Sequence, residues 1–224
     1  MKNSRIEIMD TTLRDGEQTS GVSFMPHEKL MIARALLQQL RVDRIEVASA
    51  RVSEGEKEAV SNITRWAKRN NCLDKVEVLG FVDGHSSVDW IVEAGCRNLN
   101  LLCKGSLKHC EGQLGKTPEQ HLQEILQVIS YAESKGVSVN VYLEDWSNGM
   151  QDSPEYVYKI MDALKDTCIR RFMLPDTLGV LNPLQVIELL RKMRKRYPEC
   201  HFDFHAHNDY DLAVSNVLAA VLSG

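Results

Sequence analysis

The sequence predicts an α/β protein in which parallel strands alternate with helices, and the even spacing favours a (β/α)8 TIM barrel. Seven short runs rich in β-branched residues recur at intervals of roughly 32 residues, close to the repeat of such barrels. Helical patterns lie between the runs. No G-x-G-x-x-G or G-x-x-x-x-G-K-[ST] motif follows the first run, which counts against a doubly wound nucleotide-binding sheet.

The seven predicted strands follow from the positions of these runs. They are "RIEIM" at 5–9, "RIEV" at 44–47, "KVEVLG" at 75–80, "NLNLL" at 98–102, "VSVNVYL" at 137–143, "RRFML" at 170–174 and "HFDFH" at 201–205. Eight βα units total roughly 250 residues. We therefore expect residues 1–224 to form one TIM-barrel domain, truncated after about seven units.

Apolar stripes and capping signals mark the helices between these strands. One stripe comprises Leu30, Ala33, Leu37 and Leu40, and a second comprises Ile125, Val128, Ile129 and Ala132. Pro26 suits the first turn of the first of these helices. Thr117 is a candidate N-cap, as are Ser153 before Pro154 and Asn182 before Pro183.

Composition excludes several classes of function. The chain is 43% apolar and 26% charged with a net charge of −4, so nothing indicates a nucleic-acid or anionic-membrane partner. The N-terminus lacks a signal-peptide pattern, and no apolar run approaches the ~20 residues of a membrane span. The six cysteines include no C-x-x-C pair, which is typical of reduced thiols in a cytoplasmic protein.

Residues 201–209 read "HFDFHAHND", with two histidines two positions apart. Residues i and i+2 of a strand point to the same face, so His205 and His207 project together. Two converging imidazoles at a strand end suit a divalent metal. Taken alone, the motif also fits a loop cap and a buried core histidine.

Polar residues gather at the predicted carboxyl ends of other strands, where barrel active sites form. They are Asp10, Arg14, Asp15 and Glu17 after strand one, Asn140, Tyr142 and Glu144 on strand five, and Asp176 and Thr177 after strand six. A carboxylate with two imidazoles forms a facial metal set, a guanidinium can stabilise an oxyanion, and another carboxylate can act as base. This pattern favours a metal-assisted enzyme acting on a small carbonyl or carboxylate compound.

Three separated motifs carry a family resemblance. "DTTLRDGEQTSG" at 10–21, "LPDTLG" at 174–179 and "HAHND" at 205–209 resemble the catalytic domain of the isopropylmalate, homocitrate and citramalate synthases. These belong to the metallolyase barrels that include hydroxymethylglutaryl-CoA lyase. "GSLKHCEGQL" at 105–114 is similar to a T-S-x-x-H-x-x-x-K-L segment of that family but has Gly105 for Thr and Gln113 for Lys.

The resemblance implies a metal-dependent Claisen-type condensation of acetyl-CoA with a 2-oxo acid. It implies metal ligands at Asp15, His205 and His207, with Arg14 on the keto oxygen, Glu144 assisting deprotonation of acetyl-CoA and Thr177 holding the carboxylate. Zn²⁺ and Mn²⁺ suit this set better than Mg²⁺. The family also implies an eighth strand with an Asn ligand, linker subdomains, a regulatory domain and a homodimer. We expect the first three of these features to lie outside residues 1–224.

Side chains at three wall positions favour pyruvate as the oxo acid and (R)-citramalate as the product. Leu79, Leu102 and Tyr142 would enclose a small apolar pocket, and the surrounding stretches look most like citramalate synthases. Exclusion by bulk must discriminate against 2-oxoisovalerate, the substrate of 2-isopropylmalate synthase, because a methylene is worth only ~1–3 kcal/mol by attraction. These positions disfavour 2-oxoglutarate, because its distal carboxylate needs a cationic partner and no Arg or Lys is evident among them.

Three alternatives stay open. An amidohydrolase-type metal hydrolase carries its H-x-H on the first strand, whereas here the motif is on the seventh. A non-catalytic barrel would keep the motifs as structure, and Arg14→Ala would then cost no turnover. A carbon–carbon lyase of the hydroxymethylglutaryl-CoA lyase type would run the reverse cleavage.

Overall fold

A computed structural model describes residues 5–224, in which seven strands form one sheet with neighbours in chain order. The strands are β1 (Met9–Asp10), β2 (Arg44–Ser49), β3 (Val76–Phe81), β4 (Asn98–Lys104), β5 (Ser138–Glu144), β6 (Phe172–Asp176) and β7 (Phe202–Ala206). The registered pairs are parallel: β1 with β2, β2 with β3, β5 with β6, and β6 with β7. An uninterrupted sequential order argues against a doubly wound sheet, in which the strand order reverses at a switch point.

Helices separate the strands, as the sequence predicts. They are α1 (Pro26–Arg34), α2 (Glu54–Arg69), α3 (Ser86–Glu93), α4 (Leu107–Gly112), α5 (Pro118–Ser134), α6 (Trp146–Asp152), α7 (Pro154–Leu164), α8 (Pro183–Arg196) and α9 (Ala213–Leu222). A π-helix over Ala35–Leu40 follows α1, and 3₁₀ turns cover Gly16–Gln18 and Leu73–Lys75.

Two of the three predicted N-caps are confirmed. Thr117 accepts a hydrogen bond from the Gln120 N–H at 3.2 Å, and Asn182 accepts from the N–H groups of Leu184 and Gln185. The third is wrong, because Ser153 makes no side-chain cap to α7 and its hydroxyl donates to the Gly149 carbonyl instead.

The first strand is shorter than predicted, covering Met9–Asp10 rather than residues 5–9. Ile6 and Ile8 are 59% and 60% exposed, so their β-branched side chains gain little of the burial that stabilises a strand. The backbone of Ile8 bonds instead to Asp43, accepting from its N–H and donating to its carboxylate.

The apolar stripe predicted after Pro26 is also partly wrong. Leu37 is buried, but Leu40 is 71% exposed. The hydrogen-bond pattern changes from i→i+4 to i→i+5 at Ala35, which rotates the following residues away from the predicted face.

The chain divides into two compact units. The first runs to Asn100 and includes Tyr131–Ser138, and the second comprises Leu101–Ser130 and Val139–Gly224. In the first unit, the fully buried core includes Val47, Val60, Ile63, Val78 and Ile91. In the second unit, it includes Val141, Leu143, Val157, Ile160, Leu174 and Val186.

All six cysteines are free thiols, as the sequence predicts. Cys96, Cys103 and Cys110 are buried, and burial raises the pKa of Cys96 to about 11. Within residues 5–224, no helix has the length and apolarity needed to span a bilayer.

Candidate active-site residues

The loop after β1, in the first unit, forms a tight turn that carries Arg14 and Asp15. Their backbone N–H groups donate to the Thr11 carbonyl at 3.1 and 2.8 Å. The Asp10 carboxylate accepts from the Thr12 N–H at 2.9 Å, an Asx-type contact that stabilises the turn. Asp10 therefore stabilises the turn. The Asp15 side chain is half-buried and is a candidate metal ligand.

A buried carboxylate fixes the guanidinium of Arg14. Its Nε donates to Glu46 Oε2 at 2.5 Å, and its Nη1 donates to Asp15 Oδ1 at 2.7 Å. Glu46 is fully buried, and its second oxygen accepts from the Asn100 amide at 2.6 Å. Charge-assisted bonds of this kind hold both the position and the plane of the guanidinium.

Glu17, another polar residue of the same loop, stabilises the loop. Its carboxylate accepts from the Phe24 N–H at 2.8 Å and pairs with Lys29 at 2.5 Å. Lys29 is fully buried and also bonds Glu56 and the Leu13 carbonyl. A charge buried this deeply needs such partners, so we assign Glu17 to structure rather than chemistry.

The carboxyl end of β5, in the second unit, carries Tyr142 and Glu144 on one face. Tyr142 is 2% exposed, whereas Glu144 is half-buried at the strand end. Lys104, the last residue of β4, donates from its ammonium to Glu144 Oε2. The lysine side chain is 14% exposed and the glutamate side chain 24%, so water screens this pair only partly.

Asp145, directly after Glu144, turns the chain out of the strand in a left-handed conformation with a φ of 65°. Thr177 Oγ1 accepts from the Asp145 N–H at 2.9 Å. The Asp145 carboxylate, 1% exposed, accepts from Ser106 and Asn148, both at 2.7 Å. A left-handed conformation of a residue other than glycine costs of order 1–3 kcal/mol. It persists only where surrounding contacts hold it in place, which is often at functional sites.

The "LPDTLG" turn after β6 is built against the histidine loop. Asp176 is fully buried and accepts from two backbone N–H groups of this turn at 3.0 and 3.1 Å, so it caps the turn. Gly179 has a φ of 57°, and a Cβ there would lie 2.9 Å from the Asp209 nitrogen and 3.1 Å from the His207 carbonyl oxygen. Only glycine lets the two loops approach this closely.

The predicted histidine pair is confirmed at the carboxyl end of β7. The rings of His205 and His207 have centroids 5.0 Å apart at an interplanar angle of 28°. Their ligand nitrogens lie within 4.8 Å of each other, and both side chains are half-buried. Tyr142 meets His205 edge-on with ring centroids 6.2 Å apart. This donor pair fits a divalent metal, which needs accessible imidazole nitrogens converging from one side.

The wall residues are placed on three strands. Leu79 is buried on β3 in the first unit, while Leu102 on β4 and Tyr142 on β5 belong to the second. Strand β4 extends two residues beyond the strand predicted at 98–102, and its last residue, Lys104, lies on the same face as Leu102. Sequence reasoning overlooked Lys104 by ending the strand at residue 102.

Glu46 and Asn100 were also missed. Their signal is a polar residue flanked by apolar neighbours in the middle of a strand, where each is fully buried. Such residues are rarely buried without a partner.

A family model described as HMGL-like matches residues 5–224. The chain belongs to the HMGL-like family. Solved structures agree on the fold: a hydroxymethylglutaryl-CoA lyase from Bacillus subtilis has a TM-score of 0.81 at 22% identity, covering 98% of this chain and 74% of that one. A lyase from Acinetobacter baumannii, in complex with coenzyme A and 3-methylmalate, has a TM-score of 0.74 at 23% identity, covering 97% and 72%. The TIM-barrel class predicted from the sequence is thereby confirmed.

Curated relatives of this HMGL-like chain are synthases. A putative (R)-citramalate synthase of Methanopyrus kandleri is 35% identical over 98% of the chain and 42% of that protein. A probable 2-isopropylmalate synthase of Ignicoccus hospitalis is 34% identical over 98% and 53%. A homocitrate synthase of Sulfolobus acidocaldarius is 33% identical over 98% and 46%. The chain thus spans about half the length of the curated relatives it matches.

Proposed function

We propose that this chain is the catalytic part of an acyltransferase that condenses acetyl-CoA with a 2-oxo acid. The observation that carries the proposal is the pairing of His205 with His207 beside Tyr142, at the end of the sheet where Glu144 also lies. The names of the synthase relatives support this reaction over a metal hydrolase or an inert barrel. On the same resemblance, we propose a single cytoplasmic catalytic domain that works as a homodimer in the full-length protein.

His205, His207 and Asp15 would hold a divalent metal, Zn²⁺ or Mn²⁺. Each offers one ligand atom and is half-buried, so the donors are accessible while partly shielded from water. Two imidazoles and a carboxylate suit these ions and leave positions open for a chelating oxo acid. When bound, the metal would supply Lewis-acid polarisation of the oxo-acid carbonyl.

The chain's own residues would then divide the remaining work. Glu144 takes a proton from the acetyl-CoA methyl group, and the carbanion electrons form the new bond to the keto carbon. The C=O π pair moves to the keto oxygen, which then takes a proton from water. Arg14, held by Glu46, donates to the keto oxygen as it gains negative charge. Thr177 binds the oxo-acid carboxylate by donating its hydroxyl proton, because a carboxylate only accepts, while its oxygen accepts from the Asp145 N–H. Water then hydrolyses the thioester and releases CoA.

For the substrate, we propose pyruvate, with (R)-citramalate as the product. Leu79, Leu102 and Tyr142 would crowd the isopropyl group of 2-oxoisovalerate, which is the alternative substrate. Lys104 does not favour 2-oxoglutarate, because its charge is already neutralised by Glu144. A lyase that cleaves a carbon–carbon bond in the reverse sense is the nearest alternative reaction.

Calorimetry of the Mn²⁺-loaded chain with pyruvate and with 2-oxoisovalerate tests the substrate. We expect at least tenfold tighter binding of pyruvate, and a Leu102→Ala variant should narrow that difference. Tighter binding of 2-oxoisovalerate by the unaltered chain would reject the pyruvate assignment.

Release of CoA from acetyl-CoA tests the reaction itself. We expect release that depends on the oxo acid, and at least a hundredfold loss in Arg14→Lys, a change that keeps a charge beside Glu46 but not the planar donor fork. An equally active Arg14→Lys variant would contradict the assigned role of Arg14.

A further inference from the structure

We propose that Lys104 is a positioning residue for Glu144, holding one carboxylate oxygen so that the other faces the substrate. The inference rests on the function proposed above and adds a residue to its machinery. Lys104 lies two residues beyond Leu102 on the same face of β4, and its ammonium donates to Glu144 Oε2. Both side chains are largely shielded from water.

Two buried side chains fix the backbone of Lys104. Its N–H donates to His121 Nε2 at 3.0 Å, and its carbonyl accepts from the Tyr156 hydroxyl at 3.0 Å. His121 is 1% exposed and Tyr156 is 4% exposed. Burial lowers the pKa of His121 to about 4, so the imidazole is neutral and its Nε2 can accept. The strand end that carries Lys104 is therefore held from both sides of its peptide backbone.

Gly105, directly after β4, joins the end of β4 to the end of β5, which carries Glu144. The Gly105 N–H donates to the Glu144 carbonyl at 2.6 Å. A Cβ at Gly105 would lie 2.4 Å from the Leu143 oxygen, and a Cβ at Gly149 would lie 2.0 Å from the Gly105 oxygen. Gly105, where the similar family segment has Thr, thus permits the close approach that brings Lys104 onto Glu144.

Proton abstraction from a methyl group requires Glu144 as a carboxylate. The Lys104 ammonium occupies Oε2, which leaves Oε1 to take the proton. The methyl C–H bond breaks, its electron pair stays on carbon, and the proton passes to Oε1.

The neighbouring charges are already engaged elsewhere. The Asp145 carboxylate binds Ser106 and Asn148, and His109 Nε2 lies 3.4 Å from it. His205, on β7, packs against Tyr142. Among residues 5–224, Lys104 is the charged group that contacts the Glu144 carboxylate directly.

A readout that needs no turnover tests the contact. The chain is labelled with ¹³C at the glutamate carboxyl carbon and its NMR spectrum is recorded at one fixed pH, with the Glu144 signal assigned by its absence in Glu144→Gln. We expect the chemical shift of the Glu144 carboxyl carbon to change in Lys104→Met, because the ammonium no longer contacts Oε2, and to stay near the original value in Lys104→Arg. Lys116→Met, which breaks the separate pair with Glu124, should not change it. An unchanged chemical shift in Lys104→Met would overturn the proposal.

Kinetics of the active enzyme separate positioning from substrate binding. Lys104→Met should lower kcat at least tenfold while the calorimetric Kd for pyruvate changes less than twofold, and it should cause no further loss in a Glu144→Gln background. An unchanged kcat, or a tenfold weaker Kd, would overturn the positioning role. If the NMR shift is found in a protein that never releases CoA, the proposed reaction fails while the action of Lys104 on Glu144 stands.

Discussion

At the scale of single residues, the buried imidazole of His121 makes part of the stability depend on pH. Its pKa is about 4 in the folded chain, against 6.5 for a free histidine, because burial disfavours the charged form. Between these values the unfolded chain binds a proton that the folded chain does not, so the free energy of unfolding falls as the pH drops from 6.5 to 4.

Urea unfolding of His121→Gln across this pH range measures the effect. The variant cannot titrate at this position. Between pH 6.5 and 4 it should therefore lose up to roughly 3 kcal/mol less of its free energy of unfolding than the unaltered chain. His27→Gln, at an exposed histidine, is the control and should follow the unaltered chain. Parallel curves for His121→Gln and the unaltered chain would contradict the prediction.

Two glycines differ in what an added methyl group would meet. Gly105→Ala places a Cβ 2.4 Å from the Leu143 carbonyl oxygen, which forces backbone movement, and we expect it to cost about 1–3 kcal/mol. Gly112→Ala meets nothing within 4 Å and should be neutral or slightly stabilising. Chemical denaturation of both variants checks this, and equal stabilities would show that the strand ends relax at no cost.

Local and long-range signals explain which residues the sequence could predict. The H-x-H pair and the caps at Thr117 and Asn182 depend on neighbours a few positions away, and all were predicted. The partners of Glu46 and Lys104 lie 32 and 40 positions away in sequence, at Arg14 and Glu144. No periodicity reveals which strands will bring such partners together.

At the scale of elements, the segment after α1 shows how one irregular turn makes a prediction from hydrophobic periodicity wrong. The spacing of Leu37 and Leu40 predicts two core residues, yet the π-helix over Ala35–Leu40 buries only the first. Wide turns have no strong sequence signature, since their cause lies in the packing around them.

Alanine substitutions at these two leucines measure the consequence. Leu37→Ala removes a buried side chain and should cost about 2–5 kcal/mol. Leu40→Ala changes a side chain that is 71% exposed and should stay within about 0.5 kcal/mol of the unaltered chain. Equal losses for the two variants would contradict the π-helix and restore the regular α-helical face.

At the scale of the whole molecule, the βα repeat could be predicted because strands β2 to β6 are largely buried and helices such as α2 and α7 bury one apolar face. Buried parallel strands appear as short apolar runs, and sequential order follows from the preference for adjacent connections. The site was harder to predict, because several polar residues at the strand ends stabilise the loops by hydrogen bonds to their backbone. Asp10, Glu17 and Asp176 all stabilise turns, and only their contacts distinguish them from Asp15 or Glu144.

A ligand that binds only the folded chain raises its melting temperature, so the proposed metal site predicts a thermal shift. At a Mn²⁺ concentration one hundred times Kd the stabilisation is about 2.7 kcal/mol. For a chain of this size that corresponds to roughly 5–10 °C. His205→Ala combined with His207→Ala should abolish the shift, whereas His201→Gln, at a half-exposed histidine outside the pair, should keep it. Glu144→Gln should also keep it, because a base is not a ligand. A shift that survives loss of both histidines would place the metal elsewhere and remove the support for the condensation chemistry.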